Sequence, residues 1–285
     1  MLKFIAKKLA SLGGRKLACS EGSNEPESEF AYPSLNAIYR CLMDKDPGTL
    51  RPNYTWGVIQ SCHLASMLGV ERISAIELGV AGGNGLLSLE RVAEKLEDIF
   101  GVGIDIHGFD SGHGLPKPQD YRDMPNLWSE GAYPMDEGKL RKRLNRAQLI
   151  IGLLEETAPA FIGSNPAPIG FISFDLDLYS STVQAFAILE AEQKLLMPRI
   201  YCYFDDILGF TYGHHNGERL AIREFNDAHA ERQISQIYGL RFYLPPTETN
   251  ASWPEKMYMA HILDHSLYNE PDGLVVNAHM DLTGS

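Results

Sequence analysis

Two short apolar runs in this sequence end abruptly in acids. Phe171-Ile172-Ser173-Phe174 leads into Asp175-Leu176-Asp177, and Tyr203-Phe204 leads into Asp205-Asp206. Carboxylates in pairs can hold a hard cation through their oxygens, and a carboxylate beside a hydroxyl can take its proton. The apolar runs have the pattern of strands buried on both faces of a parallel sheet. Between them, Ser181 to Lys194 reads as a helix with Ser180 or Ser181 as its N-cap. A right-handed strand–helix–strand crossover makes the two strands parallel. The four aspartates then gather at the carboxyl-end edge, where open α/β sheets bind ligands. Carboxylates packed that closely repel one another, so a positive partner belongs among them.

A second candidate site lies upstream. Arg72 to Leu78 reads as a core strand that runs into Glu77-Leu78-Gly79-Val80-Ala81-Gly82-Gly83-Asn84-Gly85, followed by a helix over Leu86 to Phe100. A strand, a glycine turn and a helix start let backbone approach a ligand closely, with N–H groups aimed at it. Glu77, placed just before the turn, suits a cationic or hydroxyl-bearing ligand and not a pyrophosphate. The next strand, Ile104 to Phe109, ends at Asp110, where an acid is the usual acceptor for ribose hydroxyls. The loop from Asp110 to Asp136 is long and rich in Gly and Pro, and loops of that length inside a domain tend to be functional. Its Trp128 and Tyr133 either stack on a ligand or pack the loop. His214 and His215 form a Gly-flanked pair, read as solvent-exposed or as an alternative base.

The elements that must position these groups follow from the rest of the chain. At 285 residues and 44% apolar side chains, one substantial core is affordable. Helices are predicted over Tyr32–Asp44, Tyr54–Leu68, Leu140–Arg146, Glu155–Phe161 and Gly217–His229. A third strand is predicted at Leu149–Ile151, and closing strands at Tyr238–Leu244 and Met257–Leu263. The alternation predicts an α/β fold with a doubly wound, mostly parallel seven-stranded sheet. The expected organisation is a helical extension over residues 1–70, a catalytic domain over 71–270 and a tail over 271–285. Met1 to Leu12 is basic and amphipathic, with Leu2, Ile5, Leu9 and Leu12 on one face. It reads as a terminal helix packing on the body or on a second subunit, as a membrane-surface helix, or as a targeting segment. Ser20 to Glu29 reads as a linker.

With 25 basic and 37 acidic residues the net charge is −12, which argues against a nucleic-acid partner. No window reaches the roughly 20 apolar residues of a membrane span. Cys19, Cys41, Cys62 and Cys202 are widely spaced, as for reduced, packed thiols of a cytoplasmic protein.

Four stretches together resemble the class I S-adenosylmethionine-dependent methyltransferases, and more narrowly the macrocin O-methyltransferase family of metal-dependent sugar O-methyltransferases. They are Glu77 to Gly83; Gly108-Phe109-Asp110-Ser111 with Gly114-Leu115-Pro116; Asp175 to Thr182; and Asp205-Asp206 with Gly217-Glu218-Arg219 and Glu224-Phe225. The resemblance implies a Rossmann-like methyltransferase fold. It implies S-adenosylmethionine held by Glu77, Gly79, Gly83, Asn84, Asp110, Ser111 and Asp175, with Asp110 and Ser111 on the ribose. It also implies Mg²⁺ or another divalent cation on Asp175, Asp205 and Asp206, and Asp177 as general base. Departures from the family pattern are Leu176 between the aspartates, Leu196-Met197-Pro198 before the fifth strand, Ile207-Leu208-Gly209 with an insertion through His214 and His215, and Gly152-Leu153-Leu154 after the third strand.

The expected activity is methyl transfer to a hydroxyl of a sugar or other vicinal-hydroxyl acceptor, a small molecule or a glycan. Three alternatives stay open at the sites: Asp175 binding cofactor without metal, Asp205-Asp206 as a solvated strand end, and Asp177 beside the metal without acting as base. Two rival functions remain, a nucleotide-dependent Rossmann oxidoreductase and a non-catalytic S-adenosylmethionine-binding protein. A homo-oligomer through the N-terminal helices is also left open.

Overall fold

The computed structural model describes residues 33–270 apart from Pro47 and Thr249. The basic amphipathic segment, the predicted linker, Cys19 and the 271–285 tail lie outside the described residues. Seven strands form one sheet: β1 (Arg72–Leu78), β2 (Gly103–Asp110), β3 (Gln148–Ile151), β4 (Ile169–Phe174), β5 (Leu196–Phe204), β6 (Arg232–Gln236) and β7 (Met257–Ile262). Their order is β3-β2-β1-β4-β5-β7-β6. The first five run parallel to one another, while β7 runs antiparallel to both β5 and β6. The chain starts in the middle, winds out to β3, then returns to lay β4 beside β1. The β1/β4 boundary is therefore the switch point at which such sheets open a crevice.

Helices cover the sheet in two groups. The first is α1 (Pro33–Lys45), α2 (Pro52–Leu68) and α3 (Asn84–Phe100); the second is α5 (Leu154–Gly163), α6 (Tyr179–Ala185) and α7 (Gly217–Ala228). A short α4 (Glu137–Arg141) follows the long loop. Covered on both faces, β4 is buried at every position and β1 at all but Arg72. That is why these strands read as continuous apolar runs with no alternation. Stacked Phe174 and Phe204 rings, with centroids 4.4 Å apart, join the ends of β4 and β5 directly beneath the acidic tips.

Helix α2 is apolar around most of its circumference, and Tyr54, Trp56, Val58, Ile59, Cys62 and Leu64 are all buried. Such a helix has no solvent face and belongs to the core. It packs on β4 and β5 in the same apolar cluster as the strands, so residues 52–68 share the core of the sheet. Arg51 ends its N-terminus and Pro52 occupies the first turn, where a missing N–H costs nothing.

Three elements differ from the sequence expectation. The sixth strand is Arg232–Gln236, while 240–243 is a 3₁₀ turn; the Gly239 turn gives Leu240 to Tyr243 strand-like composition without a partner strand. The helix expected over 181–194 stops at Ala185 and continues as two 3₁₀ turns. Neither Ser180 nor Ser181 caps it, because Asp123 from the long loop takes that role: its carboxylate accepts the Ser180 N–H at 2.8 Å and the Ser180 hydroxyl at 3.0 Å. The helix expected over 140–146 lies earlier, at 137–141, with Asp136 as its side-chain cap.

Gly79 fixes the geometry of the switch point. It sits at φ +86°, and any Cβ there would overlap the carbonyl oxygen of Asp175. Its N–H bonds the Phe109 carbonyl at 2.9 Å, and the Asp175 N–H bonds the Leu78 carbonyl at 2.9 Å. Gly79→Ala should therefore combine left-handed strain with overpacking and destabilise the fold by about 2–5 kcal/mol. Thermal unfolding checks this; an unchanged melting temperature would show that the β1 and β4 ends are not locked together in this way.

Candidate functional site

A cleft of ≈ 420 Å³ opens at the carboxyl edge of β1, β2, β4 and β5. The turn from Gly79 to Asn84 forms one wall, and Asp110 and Ser111 continue it. Asp175, Asp177, Asp205 and Asp206 close the opposite end, with Arg51, Trp128 and Tyr133 along the sides. Two motifs that lie about a hundred positions apart in sequence thus share one cavity.

The carboxylate of Asp110 is shaped by backbone. One oxygen accepts the Val80 and Ala81 N–H groups at 3.0 and 2.8 Å, and the other accepts Gly112 N–H at 2.7 Å. This clips the end of β2 to the glycine turn. Ser111 gives its hydroxyl proton to the Gly114 carbonyl at 2.6 Å. Asp123, only 1% exposed, ties the loop over 111–136 to the start of α6 through Ser180. Trp128 and Tyr133 meet edge to face at 6.3 Å on the cleft side of that loop. Burial, followed by the charges of Asp177, Asp206 and Asp175, raises the Tyr133 phenol above its ordinary pKa.

At the acidic end, one oxygen each of Asp175, Asp205 and Asp206 lies within 4.8 Å of the other two. These are hard oxygen donors at the spacing from which a cation taking ligands at roughly 2.0–2.6 Å can collect three. Their surroundings show unbalanced negative charge. Burial, then Asp205 and Asp206, pushes the Asp175 carboxyl up to about 7. Asp206 is raised by burial and by Asp205. Glu218, fully buried behind Asp206, accepts the Asp206 N–H at 3.0 Å, leaves its other oxygen with no partner, and is raised well above the usual range by burial and Asp206. Asp205 differs: burial acts to raise it, but donation from Tyr203 at 2.6 Å and Lys256 at 3.0 Å holds it below the ordinary value. A divalent cation fits this set, since it would supply the charge that desolvated oxygens lack.

Asp177 stands just outside the three. It is 7% exposed, adopts φ +60°, and donates its backbone N–H to Asp206 Oδ2 at 3.1 Å. Aspartate tolerates the left-handed region better than most residues, and here that conformation turns the chain sharply from β4 into α6. Burial, then Asp206 and Asp175, raises its pKa.

Glu77 is placed elsewhere than the sequence suggests. It is 1% exposed and does not line the cleft. Its carboxylate lies under the start of α3, where Gly85 leaves room for it. It accepts the Tyr54 hydroxyl proton at 2.8 Å, while Ser173 and Arg51 donate to the same Tyr54 oxygen at 2.8 and 3.0 Å. Burial pushes Glu77 up to about 8. Its position just before the turn therefore has no bearing on whether the cleft takes a pyrophosphate; the aspartate cluster alone bears on that. His214 and His215 are exposed and do not line the cleft.

The sequence reading missed Arg51, the sole Lys or Arg among the lining residues, whose Nη1 lies 3.9 Å from Asp175 Oδ2. Its place before Pro52 marks a helix start and nothing more. Lys256 and Tyr203 were missed for a similar reason, since only the fold brings them to Asp205.

No family model matches the chain, and no curated protein matches it. Among solved structures, it is similar to the calicheamicin methyltransferase CalS11, at 18% identity over 85% of this chain and 98% of that one, TM-score 0.48. It is also similar to the mycinamycin-pathway methyltransferase MycE solved with Mg, SAH and mycinamycin VI, at 13% identity over 91% of this chain and 64% of that one, TM-score 0.41. An O-methyltransferase from Bacillus cereus in complex with SAH is similar at 13% identity, over 89% and 99% of the two chains, TM-score 0.38. The architecture rests on the strand order itself: a doubly wound sheet, parallel but for its last-formed strand.

Because Asp175 and Glu77 are both raised, the folded state keeps protons that the unfolded chain releases above about pH 4. Their stabilising contribution is full on the acid side and is lost as pH rises through about 7 to 8. In EDTA, the melting temperature should fall between about pH 5 and pH 8.5, and excess Mg²⁺ should flatten that fall. A metal-free profile that rises over the same window would contradict the buried-carboxylate account.

Proposed function

We propose that this chain transfers a methyl group from S-adenosylmethionine to a hydroxyl oxygen of a sugar or other vicinal-hydroxyl acceptor, with a divalent cation, Mg²⁺ in the first instance, at the acidic end. One observation carries the reading: the glycine turn with Asp110 and the cluster of Asp175, Asp177, Asp205 and Asp206 line the same cleft. The order of the four sequence stretches described above supports the same assignment.

In this reading the Gly79–Asn84 turn admits the cofactor backbone-to-ligand, and Asp110 keeps acceptor capacity for a ribose hydroxyl on Oδ1, which takes only the Gly112 N–H, while Oδ2 takes both Val80 and Ala81. Ser111 holds the loop shape, donating to the Gly114 carbonyl and accepting the His113 N–H at 3.1 Å. The cofactor supplies an electrophilic methyl on a sulfonium. A cation held by Asp175, Asp205 and Asp206 would supply positive charge that lowers the acceptor hydroxyl's pKa. Asp177 would take the hydroxyl proton as the acceptor oxygen attacks in line, the sulfur–methyl bond breaking as the oxygen–methyl bond forms, with S-adenosylhomocysteine as the other product. Burial makes Asp177 a stronger base than a solvated carboxylate, and a cation on Asp175 and Asp206 would offset the further rise that their charges cause. Alignment of the two substrates in one cleft provides the larger share, roughly 7–11 kcal/mol of barrier reduction.

The oxidoreductase alternative would put a pyrophosphate in the same cleft as Asp175, Asp177, Asp205 and Asp206, whose charge the one lining Lys or Arg, Arg51, meets only at Asp175. Asp177→Asn should lower turnover by about 10²–10⁴-fold and leave binding of S-adenosylhomocysteine within a few-fold of wild type. Methyl-labelled cofactor with a panel of glycans and phenols, with and without EDTA, measures this. Retained turnover in Asp177→Asn would remove the base assignment, and transfer undiminished by exhaustive chelation would remove the metal.

A further inference from the structure

Five carboxylates crowd the acidic end of the cleft: Asp175, Asp177, Asp205, Asp206 and Glu218. Among the described residues, Asp205 is the one member bonded by a lysine, Lys256. Lys256 lies at the end of the 3₁₀ turn Trp253–Lys256 that leads into β7, so the antiparallel hairpin delivers it across the sheet to the tip of β5. Its ammonium is mostly buried, at 16% exposure. Two bonds fix it on one residue, the Asp205 carbonyl at 2.6 Å and Asp205 Oδ1 at 3.0 Å. The Tyr203 hydroxyl donates to the same Oδ1 at 2.6 Å, and the ammonium stands 5.8 Å from that ring's centre. With two donors on Oδ1, Asp205 keeps only Oδ2 free of protein donors.

We propose that Lys256 is a built-in counter-charge for the cation site: it neutralises one carboxylate of the set when no ion is bound, holds Asp205 as a one-oxygen ligand, and weakens the site's hold on a divalent cation. This rests on the reading that Asp175, Asp205 and Asp206 receive such a cation. Lys256 is a positioning residue, acting through Asp205 and touching no reacting atom. A fixed ammonium and a divalent ion on opposite sides of one carboxylate repel strongly at protein-like dielectric, by enough to change affinity at least about tenfold. The same charge relieves the repulsion among the acids in the ion-free fold. The site thus keeps its shape when empty and binds its ion loosely.

The test uses the full chain, stripped with EDTA and titrated with MgCl₂ by calorimetry and by melting temperature. Lys256→Gln keeps a donor for the Asp205 carbonyl and removes the charge. It should melt lower than wild type without Mg²⁺, gain more on adding Mg²⁺, and bind the ion at least about tenfold more tightly. Lys256→Arg, which keeps the charge, should stay within about twofold of wild type. Tyr203→Phe removes a donor from the same oxygen without changing charge, and should not tighten binding. Failure of Lys256→Gln to fold in EDTA with recovery in Mg²⁺ would support the proposal. Equal or weaker Mg²⁺ affinity in Lys256→Gln would overturn it, as would tightening in Tyr203→Phe, a readout that stands even if Lys256→Gln does not fold. Absence of Mg²⁺ binding in all four proteins would remove the cation site itself and this inference with it, whereas binding in wild type unaltered by Lys256→Gln would remove only the role of Lys256.

Discussion

Like-charge crowding at one sheet edge is the constraint on which the rest of this structure depends. The parallel pairing of β4 with both β1 and β5 puts Asp175 next to the glycine turn and Asp205-Asp206 next to Asp177. Glu218 adds a buried charge from α7 behind them. Carboxylates removed from water are costly unless paired, and the two cations beside them, Arg51 and Lys256, each reach a different member of the set. The remaining imbalance is met by raised pKa values in the ion-free protein. That is a poor use of five acids in a purely structural role, and a sensible one at a site that exchanges a cation, a proton or both.

The strands and glycine turn were legible because their signals are local. An uninterrupted apolar run such as Phe171–Phe174 has few readings other than a doubly covered strand, and the acids that follow it mark its carboxyl end. The members of the aspartate set could be named from sequence for the same reason. What escaped were contacts that exist only through tertiary placement. Asp123 capping α6 displaced the expected Ser180 cap, across 57 positions. Lys256 reaches Asp205 across 51 positions, and no spacing rule links a lysine before the last strand to an acid after the fifth. The misplaced sixth strand has a different cause: Arg232–Gln236 carries one buried side chain, Ile234, so an edge strand paired on one side has little apolar pattern to show, while the aromatic stretch after Tyr238 has more.

Glu77 shows how a correct residue can be given the wrong partner. Its position at the end of β1 is what the motif led one to expect, yet the side chain turns into the body and not into the cleft. The reason is Tyr54. Helix α2, apolar enough to sit in the core, presents one hydroxyl under the turn, and one carboxylate oxygen of Glu77 accepts it. The helices before the sheet therefore contribute to the floor of the site as well as to its stability.

The hydroxyl chain from Ser173 through Tyr54 to Glu77 joins a strand, a helix and a second strand beneath the glycine turn. Tyr54 is the hinge of the chain: replaced alone by an apolar residue of similar size, it strands both the Ser173 hydroxyl and Glu77 Oε1. Neutral drift at these positions is accordingly coupled: the three are exchanged together, for an apolar set that fills the same volume, or are held as they stand. In a comparison of divergent sequences sharing this sheet, positions 54, 77 and 173 should covary as a trio, even though none of the three lines the cleft.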